Sequence, residues 1–576
     1  MSGRGWFDRT SAIARMEDET LDVLVIGGGV TGCGCALDAA ARGLKVGLIE
    51  RDDFASGTSS KSSKMVHGGL RYLQQGDIRL VYEALRERQI LMHNAPHLVE
   101  TLPFLLPVLT GRDSPVPRKL ARLLGSAMWA YDLTGGARIG KLHKRLSAEE
   151  AIEHFPTVKP ERMNSAYLYY DARTDDARLT LTLARTAAID HGAYLANGVA
   201  MEGVIHDEDG RVRAIEASAD GRRFAIRAHT VVNATGVWAD DIRALDEGTH
   251  PDSIRPAKGI HIAVPWEKVR NDIAAVLPAG GGRSIFVVPW YDTDRTDGTP
   301  GLTYLGTTDT DYDGPLDDPQ CTPEDVAYLL DAANAALTTE LGPDDVLGSW
   351  AGLRPLVKAS ATTKSTKRKK GATKDLSRRH QVQVAPSGVV TITGGKLTTY
   401  RQMAVDTIDT VTKAFDGRKI PRSPTRSLPL HGADGADAVL ERHTDDGLDR
   451  STLEHLVGRY GADADIIDAM VTSDPDLGRP LVPGLPYLRA EVVFAARYEM
   501  ARDVDDVLSR RTRARLLARD ASLDAAADVA ALIGDELGLD DAARAAQVEA
   551  YREAIETERR APGLPVTGRQ AVTQTR

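Results

Sequence analysis

A chain of 576 residues, 42% of them hydrophobic and 27% charged, exceeds what one hydrophobic core serves, so two or three domains are expected and a disordered or fibrous protein is excluded. The net charge of -10, from 82 acidic against 72 basic residues, argues against a nucleic-acid partner. Three cysteines, Cys33, Cys35 and Cys321, cannot build a disulfide framework or a four-cysteine cluster, so a reducing compartment and no metal are expected.

The first twenty residues carry Arg4, Asp8, Arg9, Arg15, Glu17, Asp18 and Glu19 and lack the apolar centre of a secretory signal. No apolar run of about eighteen residues follows anywhere, so a spanning helix is not expected. The expected location is cytoplasmic, with any membrane contact peripheral and on the inner face of the cell membrane.

LDVLVI, from Leu21 to Ile26, is a short apolar β-type run. GGGVTG follows, then an Ala-rich helical pattern ending near Gly43 and a second strand, LKVGLIE, from Leu44 to Glu50. Together they make a βαβ unit, the opening of a doubly wound sheet. Cys33 and Cys35 fall on its helix as small buried residues on different faces.

The stretch Ile78 to Asn94 is helical and ends before Pro96. RKLARLLGSAMWAYDL, from Arg118 to Leu133, is basic and amphipathic, suited to packing on the protein's own sheet or to anionic lipid. Strands of the first domain return at HTVVNATG, ending at Gly236, and at GVVTITGGK, ending at Lys396. Between them GIHIAVPW and SIFVVPW alternate like strands of an inserted antiparallel sheet. After about residue 421 the pattern is helical.

The expected fold is therefore α/β: a doubly wound, Rossmann-like FAD-binding domain with an inserted antiparallel-sheet substrate domain and a C-terminal helical domain. The first is discontinuous, over 18–93, 163–250 and 347–420. The substrate or cap domain takes 94–162 and 251–346, the helical domain 421–560, and 561–576 reads as a frayed, flexible tail.

Gly27, Gly29 and Gly32 occupy the dinucleotide fingerprint: a tight turn, close approach of a pyrophosphate, and close helix packing, with Gly28 inside the loop. Glu50, ending the second strand, is placed to accept hydrogen bonds from an adenosine ribose and would repel a 2′-phosphate. The fingerprint does not choose between FAD and NAD. The loop after Glu50 offers Thr58, Ser59, Ser62 and Ser63 as donors beside a cofactor, followed by Gly68 and Gly69. At the later strand ends, Thr235, Gly236, Gly394, Gly395, Lys396 and Leu397 stand where the cofactor would approach. The segment ending at Lys396 is no nucleoside-triphosphatase phosphate loop, since Leu397 replaces the required Ser or Thr and Val390 the first glycine.

The run TSSKSSKMVHGGLRYL from Thr58 resembles the signature segment of FAD-dependent glycerol-3-phosphate dehydrogenases. Further blocks match in order: KGIHIAVP from Lys258, FVVPW followed by YLGTTDTDYDG, SWAGLRPL from Ser349 and TGGKLTTYRQMA from Thr393. The similarity spans about residues 20 to 420 and continues more weakly at DVDDVLSRRTR from Asp503. The resemblance implies bound FAD, oxidation of sn-glycerol 3-phosphate to dihydroxyacetone phosphate by hydride transfer to flavin N5, and delivery of electrons to quinone, directly or through electron-transfer and membrane-anchor subunits. Contact with an anionic membrane surface and homodimerisation are further associations that it allows.

A small dianionic ester needs a cationic cluster, since Arg forks bind phosphate oxygens and Lys adds a point charge. Matching motif positions implies Arg71, Tyr72, Lys258, Arg354 and Lys396 for substrate, with Arg354 at the reacting centre and Arg378 in DLSRRHQVQV as a further candidate. His261 is the candidate base, since an imidazole titrates near the operating pH, or else it orients the phosphate. Thr307, Thr308 and Asp309 line the pocket or cap a turn. The basic run Lys364, Lys367, Arg368, Lys369 and Lys370 reads as a solvated insertion. Two rivals remain: a flavin amine or amino-acid oxidase of the same fold, and a flavin electron-transfer subunit without catalysis of its own.

Overall fold

The structure, a computed structural model, describes residues 7–69, 78–109, 140–280, 283–291, 300–358, 379–415, 417–442 and 448–567. Arg71, Tyr72, Arg378, the amphipathic stretch 118–133 and the basic run 364–370 lie outside these residues.

Strand Leu21–Ile26 is apolar at every position except Asp22 and is buried on both faces, as a central parallel strand must be. It lies between Arg222–Asn233 and Val46–Ile49, parallel to both. Val390–Thr393 extends the parallel set on one side and Tyr194–Ala196 on the other. The chain thus moves one way from its first strand to its second, and other way when it returns at Arg222–Asn233. A topological switch point lies between Leu21–Ile26 and Arg222–Asn233, where ligands enter doubly wound sheets beyond the strand ends. Gly27 and Ala234 follow those two ends.

Helix Val30–Ala41 is almost wholly buried, because its Ala, Gly and Cys side chains let Asp176–Arg185 and Tyr400–Val411 pack closely around it. Cys33 and Cys35 are both buried in that core. Helix Arg9–Asp18 covers the opposite face.

Among the described residues the second sheet has ten strands, antiparallel except where Glu100–Leu109 runs parallel to Ala274–Pro278. In Ile254–Pro265 the apolar Ile260, Ile262 and Val264 face the core under helix Pro323–Ala336, while His261 and Ala263 face the other way. Two strands that the sequence pattern assigns to the cofactor domain belong here instead. Met163–Arg173 pairs along Glu100–Leu109, and Gly348–Val357 along Ile254–Pro265. Both have the side-chain pattern of a strand, and that pattern does not say which sheet supplies the partner.

Helices Arg450–Tyr460, Ala464–Ser473 and Arg489–Tyr498 pack on one another. Ala526–Leu537 and Asp541–Arg560 share a core with the second sheet, through Leu516, Ala526 and Tyr551 on one side and Trp350 and Tyr304 on the other. Residues 561–567 are no frayed tail. Leu564 is buried under the second sheet, Arg519 donates to the carbonyl of Pro565 at 3.2 Å, and the Thr567 N–H donates to Asp520 at 2.9 Å.

Candidate active site

The glycines after the first strand are imposed by contact. Gly27 has φ +107°, and a Cβ there would lie 2.8 Å from the carbonyl oxygen of Ala234. A Cβ on Gly32 would lie 1.9 Å from the carbonyl oxygen of Gly27, so only glycine lets the helix start this close to the strand. Gly28 donates its N–H to Glu50 Oε2 at 2.6 Å. Gly29 caps the helix without a side-chain bond, and Val30 donates its N–H to Ser59 Oγ at 2.9 Å. The result is a helix N-terminus with bare backbone before it, suited to a pyrophosphate.

Glu50 ends the second strand and accepts a further N–H, from Asp52, at 2.9 Å. Burial pushes its carboxyl up to about 7, and the Asp52 and Gly28 N–H groups pull it only partly back.

The loop after Glu50 is tied down at almost every residue. Thr58 donates its hydroxyl to the carbonyl of Leu353 at 2.6 Å. The Ser62 N–H donates to Asp176 at 2.9 Å, while its hydroxyl oxygen accepts the N–H of Lys64 at 3.0 Å. Ser63 Oγ lies 2.8 Å from Nε2 of His261. Gly68 donates to Asp171 at 3.2 Å, and Gly69 has φ +74°.

On the second sheet, His261 is buried and stacks on Trp350 with ring centroids 4.9 Å apart. Burial, with Lys64 and Arg354 nearby, holds its imidazole well below the ordinary histidine range, so it is neutral. Arg354 donates to Thr307 Oγ1 at 3.1 Å and to the Thr308 carbonyl at 3.2 Å, with Asp309 at 3.3 Å. Its guanidinium lies over Gly259, where a Cβ would come within 2.7 Å of both terminal nitrogens.

At the last parallel strand, Gly394 and Gly395 both have positive φ, and a Cβ on Gly395 would strike Met403 at 2.3 Å. Lys396 and Leu397 follow, leading through a short 3-10 turn into helix Tyr400–Val411. Thr235 donates its hydroxyl to Asn233 at 2.7 Å, and Gly236 has φ +64°.

One cavity of about 1000 Å³ joins these parts. Gly27, Gly29, Glu50, Thr58, Ser59, Ser62, Ser63, Gly69, Thr235, Gly236, Gly394, Gly395, Lys396 and Leu397 line it, as do His261, Arg354, Thr307, Thr308 and Asp309. Its volume stands at the upper end of the roughly 300–1,000 Å³ usual for cofactor sites. A flavin dinucleotide fits this lining: bare glycine backbone at a helix N-terminus, a half-buried carboxyl at the adjacent strand end, and hydroxyl-bearing side chains between.

Gly28, Gly32 and Gly68 act from outside the lining, the first two by placing Glu50 and the helix. Lys258 is not at the site. Its strand alternates, so Lys258 shares the Ile260 and Ile262 face, is buried against helix Pro323–Ala336, and pairs with Asp325 at 2.6 Å. Its motif position next to His261 suggested substrate, and its strand parity decides otherwise. Trp350 and Tyr304 do not line the cavity but pack on His261, and sequence reasoning passed over both. Their only signal was an aromatic in the blocks that also carry Arg354 and Thr307.

The FAD dependent oxidoreductase family model matches residues 22–401, and that of the C-terminal domain of alpha-glycerophosphate oxidase matches 423–544. The glycerol-3-phosphate dehydrogenase 2 of Mycobacterium tuberculosis is 39% identical over 96% of this chain and 93% of its own length. The human mitochondrial glycerol-3-phosphate dehydrogenase is 37% identical over 92% of this chain and 72% of its own. Among solved structures, the glycerol-3-phosphate dehydrogenase of Bacillus halodurans complexed with FAD is similar with a TM-score of 0.74 at 28% identity, covering 98% of this chain and 99% of that one. With a glycine loop, a strand-end carboxyl and a cationic end assembled on one cavity, and with relatives alike over nearly its whole length, the chain belongs to the family of FAD-dependent glycerol-3-phosphate dehydrogenases.

Proposed function

We propose that this chain oxidises the secondary alcohol of sn-glycerol 3-phosphate to dihydroxyacetone phosphate with bound FAD, and that the electrons then pass to quinone, directly or through partner subunits. The observation that carries the reading is the single cavity in which the glycine loop and Glu50 share a space with Arg354, Lys396 and His261. FAD supplies the acceptor for the electron pair and hydrogen leaving C2.

Gly27, Gly29 and the N-terminus of helix Val30–Ala41 would hold the pyrophosphate, and Glu50 the ribose. Thr58 and Ser59 order the loop beside them. Arg354, already oriented by Thr307 and Thr308, and Lys396 would neutralise the phosphate of the substrate. Arg71, Tyr72 and Arg378, by motif position, would complete that subsite. His261, neutral and fixed between Trp350 and Ser63, would hold the proton lost by the substrate hydroxyl. Among the described residues no helix is long and apolar enough to cross a membrane. Docking on the inner face of the cell membrane would therefore use a peripheral surface or a partner subunit.

The test is anaerobic mixing of the purified yellow protein with sn-glycerol 3-phosphate, with glycerol and glycine as controls, while the flavin absorption is followed. Bleaching by the phosphate ester alone is expected. Bleaching by glycine would favour an amine oxidase, and none at all would leave an electron-transfer subunit.

A further inference from the structure

The loop at Ser62 and Ser63 is held against the second sheet at its backbone. Trp350 donates its indole N–H to the carbonyl of Ser62 at 3.2 Å, and Tyr304 donates its hydroxyl to the carbonyl of Ser63 at 2.8 Å. With both carbonyls fixed, the Ser63 hydroxyl has a set position, 2.8 Å from Nε2 of His261.

The imidazole has no freedom either. It stacks on Trp350 at an interplanar angle of 11° and meets Tyr304 edge-on at 6.1 Å. Behind it is Gly306, where a Cβ would lie 2.0 Å from the ring. His261 is only 2% exposed, whereas Ser63 is half-buried, and both border the cavity. A substrate hydroxyl therefore meets the serine more readily than the histidine.

We propose that Ser63 is a proton relay between the substrate hydroxyl and His261, an inference that rests on reading the cavity as an alcohol-oxidising site. As the C=O bond forms, the substrate O–H bond breaks and its proton goes to Ser63 Oγ. Ser63 gives its own proton to Nε2 of His261, and the electron pair and hydrogen leaving C2 go to the bound FAD. The serine ends as it began, and the histidine ends as imidazolium.

The relay requires the resting histidine to carry its proton on Nδ1, with Nε2 accepting from Ser63. Nδ1 has no hydrogen-bond partner among the described residues, so the Ser63 contact is the hydrogen bond through which the imidazole exchanges its proton. The surroundings that keep the imidazole neutral, its burial and the nearby Lys64 and Arg354, also expel the proton once product has left. The return path runs through the same serine.

The test compares wild type with Ser63→Ala and Ser63→Thr, all loaded with FAD. In Ser63→Ala the rate of flavin reduction by sn-glycerol 3-phosphate is expected to fall about a hundredfold or more, the usual scale of acid–base catalysis. FAD content and the dissociation constant of dihydroxyacetone phosphate should stay within about threefold, and Ser63→Thr should recover most of the rate. Independently of turnover, ¹⁵N-histidine spectra should show an unprotonated Nε2 for His261, identified by its loss in His261→Asn, and a shift of that signal in Ser63→Ala. A full rate in Ser63→Ala, a loss of product affinity equal to the loss of rate, or a protonated Nε2 in the resting wild type would each overturn the relay. No bleaching of the wild type sinks the proposed reaction and the relay with it, whereas normal bleaching of both wild type and Ser63→Ala sinks the relay alone.

Discussion

Asp53 and Arg511, 458 positions apart, form a bidentate pair, with Nη1 2.7 Å from Oδ2 and Nη2 2.8 Å from Oδ1. Asp53 stands in the turn just beyond Glu50, where Ala55 donates its N–H to the carbonyl of Gly28 at 3.1 Å. Arg511 belongs to the DVDDVLSRRTR segment. The C-terminal region thus braces the cofactor loop through a buried charge pair.

Burial alone would raise the Asp53 carboxyl, but Arg511 and Arg510 hold it down, to about 2. Removing Arg511 takes away the bidentate partner and leaves Asp53 with Arg510, at 2.6 Å, so Arg511→Met is expected to cost up to about 3 kcal/mol in urea denaturation. A depressed carboxyl contributes its stability above its ordinary value of 3.8 and loses it as pH falls through about 2. Wild type should therefore lose stability across that acid window, and Asp53→Leu should lose less of it there.

Glu50 has the opposite sign. Its raised carboxyl makes the FAD-free protein less stable as pH rises through about 7. Ribose hydroxyls donate to the ionised form, so binding should release a proton. FAD affinity should accordingly rise with pH up to about 7, by at most roughly tenfold per unit, and then level off. Titration calorimetry checks this, and Glu50→Gln should bind more weakly with no such slope.

Arg354→Lys keeps the charge and loses the fork. Hydrogen bonds to charged groups contribute about 1.5–3 kcal/mol, so KM for sn-glycerol 3-phosphate should rise about tenfold to a hundredfold. FAD content should stay normal. An unchanged KM in steady-state assays would remove Arg354 from the phosphate subsite.

Lys258→Met tests the converse. Its partner is Asp325, so KM and FAD content should stay as in wild type. Stability should fall by up to about 3 kcal/mol, because Asp325 still accepts the Thr322 N–H. A raised KM with normal stability would return Lys258 to the substrate.

Much of the cofactor end was legible because its determinants are local. Gly27, Gly28, Gly29 and Gly32 lie within six consecutive residues, and Glu50 ends the next strand, so strand, turn and helix signals define them together. The helix Ile78–Asn94 was equally readable from its periodicity and the proline after it. The substrate end was harder. His261 and Lys258 stand three residues apart in one strand, and only the strand's parity sends one to the cavity and the other to Asp325.

By itself the sequence determined the doubly wound opening and the family, and it placed the glycine loop beside the strand-end Glu50, because each is written in short segments whose chemistry does not depend on a distant partner. Tertiary structure alone decided that Met163–Arg173 and Gly348–Val357 complete the second sheet, that residues 561–567 pack beneath it, and that Arg511 braces Asp53. Period-two patterning says which residues of a strand share a face, but pairing partners and buried ion pairs are selected by the shape and charge of surfaces brought together only when the whole chain packs.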